Sequence, residues 1–166
     1  FYDKQEKKVY SWANKIPSKR TFVAENLING AETKADAKHL SIHYSNQFQD
    51  GQCFLKGWHE GAAGRIEYDF QLSRLSKPCV VSIPFADPQV RHRPLYSQKD
   101  FFRCSGWLKF NGKTYHATEV STAIVDDHKG YYPRKAHCDW VTTMGINETD
   151  GEKKWFAFNL TRNQSV

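Results

Sequence analysis

Methionine is nearly missing from this sequence, with one residue in 166. Eleven Phe, eight Tyr and five Trp stand against it, so the expected core is one of rigid rings, as strand-rich proteins prefer. No run approaches 18 consecutive apolar residues, and no membrane-spanning helix is expected. The four cysteines, Cys53, Cys79, Cys104 and Cys138, contain no CxxC pair, which argues against a zinc knuckle or a thioredoxin-like redox site. Buried free thiols are the expected state, since a chain this long does not need staples. Also missing are the GxSxG elbow, the phosphate-binding GxxxxGK[ST], a GxGxxG after a strand, and HExxH. His39 and His43 lie four apart without a third ligand nearby, so no metal and no cofactor are expected. The opening FYDKQEKKVYSW has no apolar centre of a signal peptide and begins at Phe1. A piece of a longer chain is expected, one β domain over residues 1–166 with parts missing at both ends. A cytoplasmic location is expected, with a secreted or periplasmic one left open.

Charge is modest. The net value of +6 comes from bases that alternate with acids, as in DKQEKK, and reads as a solvated surface with no nucleic-acid partner. Arg91-His92-Arg93 is the tight basic cluster, suited to a phosphate or carboxylate. Three glycosylation patterns, at Asn147, Asn159 and Asn163, crowd the C-terminal end.

What is present is alternation. Leu40, Ile42 and Tyr44 alternate with polar neighbours, and so do Ile66, Tyr68, Phe70 and Leu72. CVVSIPF, from Cys79, is a continuous apolar run that predicts a strand covered on both faces. Phe102, Cys104, Leu108 and Phe110 share a parity before Asn111-Gly112, a hairpin signal, with 113–125 as the returning strand. Asp150-Gly151 predicts a second hairpin. Residues 24–40 are the best helical candidate by propensity, a short helix or a decorated loop. His59 beside Glu60 reads as a polar turn. The fold class is all-β: an antiparallel curled sheet or a lipocalin-like barrel or sandwich, closed or left incomplete in this chain.

DDHKGYYPRKAHCDW concentrates chemistry. Asp126, Asp127, His128, Arg134, His137 and Asp139 fall within fourteen residues, with Gly130 free to take positive φ and Pro133 stiffening the exit. This segment reads as a loop. His128 or His137 paired with Asp126, Asp127 or Asp139 suits general acid–base work, because a carboxylate fixes an imidazole's tautomer. Alternatively Asp126 and Arg134 pair and pin a chain reversal. Tyr131, Tyr132, Trp140, Trp107 and Phe102 offer ring surface to a ligand, and Asp126, His128 and Arg134 polar anchors.

The stretch from Ser121 onward resembles the signature region of the uncharacterised, mainly bacterial family catalogued as domain of unknown function 2804. Asp126, Gly130, Tyr131, Pro133, Arg134, Trp140, Gly145, Asp150, Gly151, Asn159, Leu160 and Asn163 carry it, with Pro84, Tyr96, Lys99, Gly106 and Gly112 upstream. Cys138 and Ala136 depart from the family's aromatic and Thr. The resemblance implies further strands beyond Val166, completed by a missing segment or another chain, and a distant likeness to lipocalin-like carotenoid hydratases. The expected function is binding of an apolar or amphipathic small molecule in a barrel-like cavity. The alternatives are a hydratase or isomerase using a His/Asp pair, and a protein- or polyanion-binding module. Whether there is catalysis at all is left open.

Overall fold

A two-residue period puts alternate side chains on opposite sides of a strand, and the chain obeys it almost throughout. The computed structural model describes residues 1–24, 31–47, 49–83, 95–130 and 136–165, without the side chains of 31, 83, 95, 129, 136–138 and 161–165. The strands are β1 (Tyr2–Asp3), β2 (Lys8–Val9), β3 (Thr21–Val23), β4 (Ala31–Ala37), β5 (Leu40–Gln47), β6 (Gln52–Gly61) and β7 (Gly64–Arg74), then β8 (Cys79–Ile83), β9 (Leu95–Phe110), β10 (Lys113–His116), β11 (Thr122–Gly130), β12 (Ala136–Thr149) and β13 (Glu152–Ser165). Among the described residues the one helical piece is a 3-10 turn, Ser18–Arg20. The expected all-β, antiparallel class is what the structure shows. No described helix is long and apolar enough to cross a membrane.

The chain divides into two units: Phe1–Ser73 with Cys104–Glu119, and Arg74–Arg103 with Val120–Val166. In the first, β3 to β7 pair in sequence order. Registers such as Leu40↔His59↔Ile66 and Asn46↔Cys53↔Leu72 put every large apolar residue of β5, β6 and β7 except Phe54 and Trp58 on one face. Leu40, Cys53, Ile66 and Leu72 are buried there, each apolar side chain contributing about 1.5–3 kcal/mol by leaving water.

The opposite face is charged. Lys34 and His43 donate to Glu32 at 2.7 and 2.9 Å, and these partners hold its carboxyl below the usual range. Lys56 meets Asp69 at 2.7 Å, and Arg65 lies 4.1 Å over the Trp58 ring. Water screens exposed pairs of this kind, so they keep the face wet more than they hold it folded.

The N-terminal segment covers the end of the buried face. Phe1, Tyr10 and Trp12 pack on Phe110 with centroids 5.7, 4.6 and 5.4 Å away. The Trp12 indole N–H donates to the Gly64 carbonyl at 2.8 Å. Tyr115 donates to Asp3 at 2.7 Å, which lowers the Asp3 carboxyl and pushes the phenol up to about 12.

In the second unit β9 runs between β8 and β11, while β12 and β13 form their own hairpin. Phe102 is fully buried, so it takes a place in the core rather than a ligand surface. Arg74 donates to the buried Asp100 at 3.1 Å, and Gln98 donates to the other oxygen at 2.6 Å.

Several expectations are corrected. Residues 31–37, of helical propensity, form β4, because Ala35 and its neighbours pair along β5. Val80 and Val81 of β8 are about half exposed, so that run is not covered on both faces. Among the described cysteine side chains Cys53 is buried, Cys104 half-buried and Cys79 exposed, and none of the three is in a disulfide. The returning strand splits. From Lys113↔Phe110 to Thr122↔Arg103, nine residues advance against seven on β9, a bulge of two beside Gly106. At φ 112, with an added Cβ 2.0 Å from the Asp69 carbonyl, Gly106 is a position that a side chain does not fit.

Candidate functional site

The acid- and histidine-rich segment was expected to be a loop. Its first five residues, Asp126 to Gly130, are instead the end of β11, paired residue for residue with β9. Four of the five partner residues are polar, Tyr96-Ser97-Gln98-Lys99, so polar residues meet polar ones across the ladder. Gly130 does take positive φ, at 141°.

Register decides which groups meet. Asp126 lies opposite Lys99 and His128 opposite Ser97, so these four share one face. Lys99 Nζ contacts the Asp126 carboxylate, lies 2.6 Å from His128 Nε2 and donates to Ser97 Oγ at 3.0 Å. His128 Nε2 is 2.5 Å from Asp126 Oδ1 and 3.2 Å from Ser97 Oγ. The expected His128–Asp126 pairing is therefore present, and Asp126 has Lys99 as a partner. Arg134, Tyr131, Tyr132, Arg91 and Arg93 lie outside the described residues, as does the side chain of His137. Trp140 sits on the β12–β13 hairpin, 55% exposed, its indole N–H donating to Asn159.

Sequence reasoning passed over Ser97 and missed the role of Lys99. The available signal was Asp-x-His at 126 and 128, which on a strand puts both groups on one side. Finding their partners required the β9 register, which no single strand encodes.

On the other face of β9, Tyr96 donates to Gln98, which reaches Asp100. Burial, then the charges of Asp100 and Asp127, push the Tyr96 phenol up.

No family model matches the chain, and no curated protein or solved structure is significantly similar to it.

A second constellation lies on the buried face of the first unit. His59 is not in a turn. It sits on β6 between Leu40 and Ile66, and its Nε2 lies 3.1 Å from the Tyr68 hydroxyl. Burial lowers the imidazole's pKa and raises that of Tyr68. Tyr68 stacks between His59 and Phe70, with centroids 6.0 and 6.3 Å away. Gly57 stands across from Tyr68. An added Cβ there would be 2.2 Å from the Ser41 carbonyl and 3.0 Å from the Tyr68 hydroxyl. Both ends of this face are buried, by Leu40 and Ile66 at one and Asn46, Cys53 and Leu72 at the other. Between them Ile42, Tyr44, Leu55, Tyr68 and Phe70 are only half-buried. The first unit also has an open cleft of ≈ 370 Å³, lined by Lys19, Arg20, Thr21, Phe22, Lys34 and Asp36, and it includes Lys34 and Asp36 of the charged side.

Proposed function

We propose that the protein binds an apolar or amphipathic small molecule against the buried face of its first unit. The observation that carries this is the unfilled middle of that face. Two rows of rings and aliphatic side chains stay half-buried between two sealed ends. Folding gains about 25 cal/mol for each Å² of apolar surface removed from water, and here part of that gain is left for a ligand. Tyr68 and Phe70 provide stacked ring surface, favourable to a flat or conjugated molecule. The His59–Tyr68 pair supplies one polar contact, and a lowered imidazole pKa suits a neutral hydrogen-bonding partner. A few polar groups within an apolar lining is the usual composition of small-molecule sites. The lipocalin-like character implied by the family resemblance agrees with this reading.

The test is a titration with cis-parinaric acid, a fluorescent polyene. Saturable uptake is expected, and Tyr68→Ala or Phe70→Ala weakens it about tenfold, equivalent to about 1.4 kcal/mol. Trp140→Ala leaves it unchanged. The reading fails if the polyene does not bind, or binds all four proteins alike.

A further inference from the structure

The strands of the first unit sort their charges by side. Along β3 to β7, from Thr21 to Leu72, the registers put every strand Lys, Arg, Asp and Glu on the side away from the half-buried rings. The three cations there, Lys34, Lys56 and Arg65, have carboxylate partners in Glu32, Asp69 and Glu67. On the ring side of these strands His59 is the one side chain able to become a cation, and its burial disfavours the charged ring. A carboxylate or phosphate laid on this face would leave water without meeting a counter-ion, and burying an unpaired charge is costly.

The His59–Tyr68 contact suits an uncharged group instead. One proton lies between Nε2 and the hydroxyl oxygen, 3.1 Å apart. Where the ring nitrogen donates, the phenol O–H is left to donate to a ligand carbonyl. Where the phenol donates to the ring, its oxygen keeps a lone pair for a ligand hydroxyl. Either arrangement serves a neutral oxygen, and neither supplies a positive charge. Gly57 keeps the phenol reachable, since it stands across from Tyr68 and a Cβ in its place would lie 3.0 Å from the hydroxyl. The next pair on this face, Leu55 and Phe70, is apolar and half-buried, whereas the pair on the other side of His59 closes with the buried Leu40 and Ile66.

We propose that this face selects ligands whose polar end is an uncharged carbonyl or hydroxyl and discriminates against carboxylates and phosphates, a proposal that rests on the binding reading above. The polar end sits at the His59–Tyr68 pair, toward the sealed end at Leu40 and Ile66, and the apolar body lies over Leu55 and Phe70. One neutral donor does not offset the lost hydration of a full charge, so the sorting of charges sets the preference.

The probes are cis-parinaric acid and its methyl ester, which share one chain and differ in the charge of the head. Both are titrated into the whole chain at pH 8, where the acid is a carboxylate. The ester is expected to bind about tenfold or more tightly than the acid. Because an ester also leaves water more readily, two variants carry the decision. Tyr68→Phe keeps the ring and removes the O–H, and it weakens the ester about fivefold, as loss of one hydrogen bond does. Ile42→Lys sets an ammonium opposite Gly57 on the same face and reverses the order, so that the acid binds more tightly than the ester. Circular dichroism checks the fold of Ile42→Lys, and if that variant does not fold, Tyr68→Phe decides. Equal affinity of wild type for the two probes, or an ester affinity untouched by Tyr68→Phe, overturns the proposal and leaves the binding site standing. Binding of neither probe overturns the site itself, and this selectivity with it.

Discussion

Two hairpins of this chain solve the same problem in different ways. Strands β6 and β7 place Cys53, Leu55, Ile66, Tyr68, Phe70 and Leu72 on one side and mostly charged or polar groups on the other. Strands β12 and β13 put apolar residues on both. Val141, Phe156, Phe158 and Leu160 share one face, and Trp140, Met144, Ile146 and Trp155 the other. Most of these eight are exposed, Leu160 by 62%. One-sided alternation tells a hairpin which face to bury, whereas two-sided patterning asks for cover on both faces. Among the described residues, Arg103 lies 5.6 Å over the Trp155 ring, on one of those faces.

The comparison is broken most sharply by truncating the same residue type in each hairpin. Leu72, 5% exposed, is expected to cost about 2–5 kcal/mol on conversion to Ala, the range for a buried leucine that leaves a cavity. Leu160→Ala is expected to stay within about 0.5 kcal/mol. Urea midpoints of the two variants check this. If Leu160→Ala costs as much as Leu72→Ala, the C-terminal hairpin is covered in solution and the contrast disappears. A smaller effect separates the glycines. Gly106→Ala meets backbone and forces positive φ, and is expected to cost about 3 kcal/mol. Gly151→Ala has open space and only its φ of 78° to strain it, for about 1–2 kcal/mol. Thermal midpoints of the two variants give the ranking.

The parts legible in the sequence were those fixed by neighbours. Asn111-Gly112 and Asp150-Gly151 both turn with positive φ, at 50° and 76° and at 55° and 78°. The eight-residue alternation from Ile66 does run along one strand, and its apolar members share one face. What was not legible depended on partners. Asp126 to His128 reads as loop because acids are poor strand formers, yet β9 offers Lys99 and Ser97 across the ladder. His59 reads as a turn because Glu60 follows it. Its parity with Cys53, Leu55 and Gly57 points it inward, and that parity was available in the sequence. β4 carries strong helix formers, and pairing with β5 overrides them.

The smallest expected effect concerns His59, which distinguishes the one-sided hairpin by a titratable group on its buried face. Burial disfavours the charged ring, so the folded pKa lies below the ordinary 6.5. Between the folded pKa and 6.5 the unfolded chain binds more protons than the folded one. Stability is therefore full above pH 6.5, declines as pH falls through that window, and levels off below the folded pKa. The quantity to measure is the difference in urea midpoint between wild type and His59→Gln from pH 5 to 8, which isolates this one ring. That difference is expected to shift against wild type as the pH falls. A flat difference would mean that the imidazole takes up its proton as easily folded as unfolded, and that the face between Leu40 and Ile66 is open to water at His59.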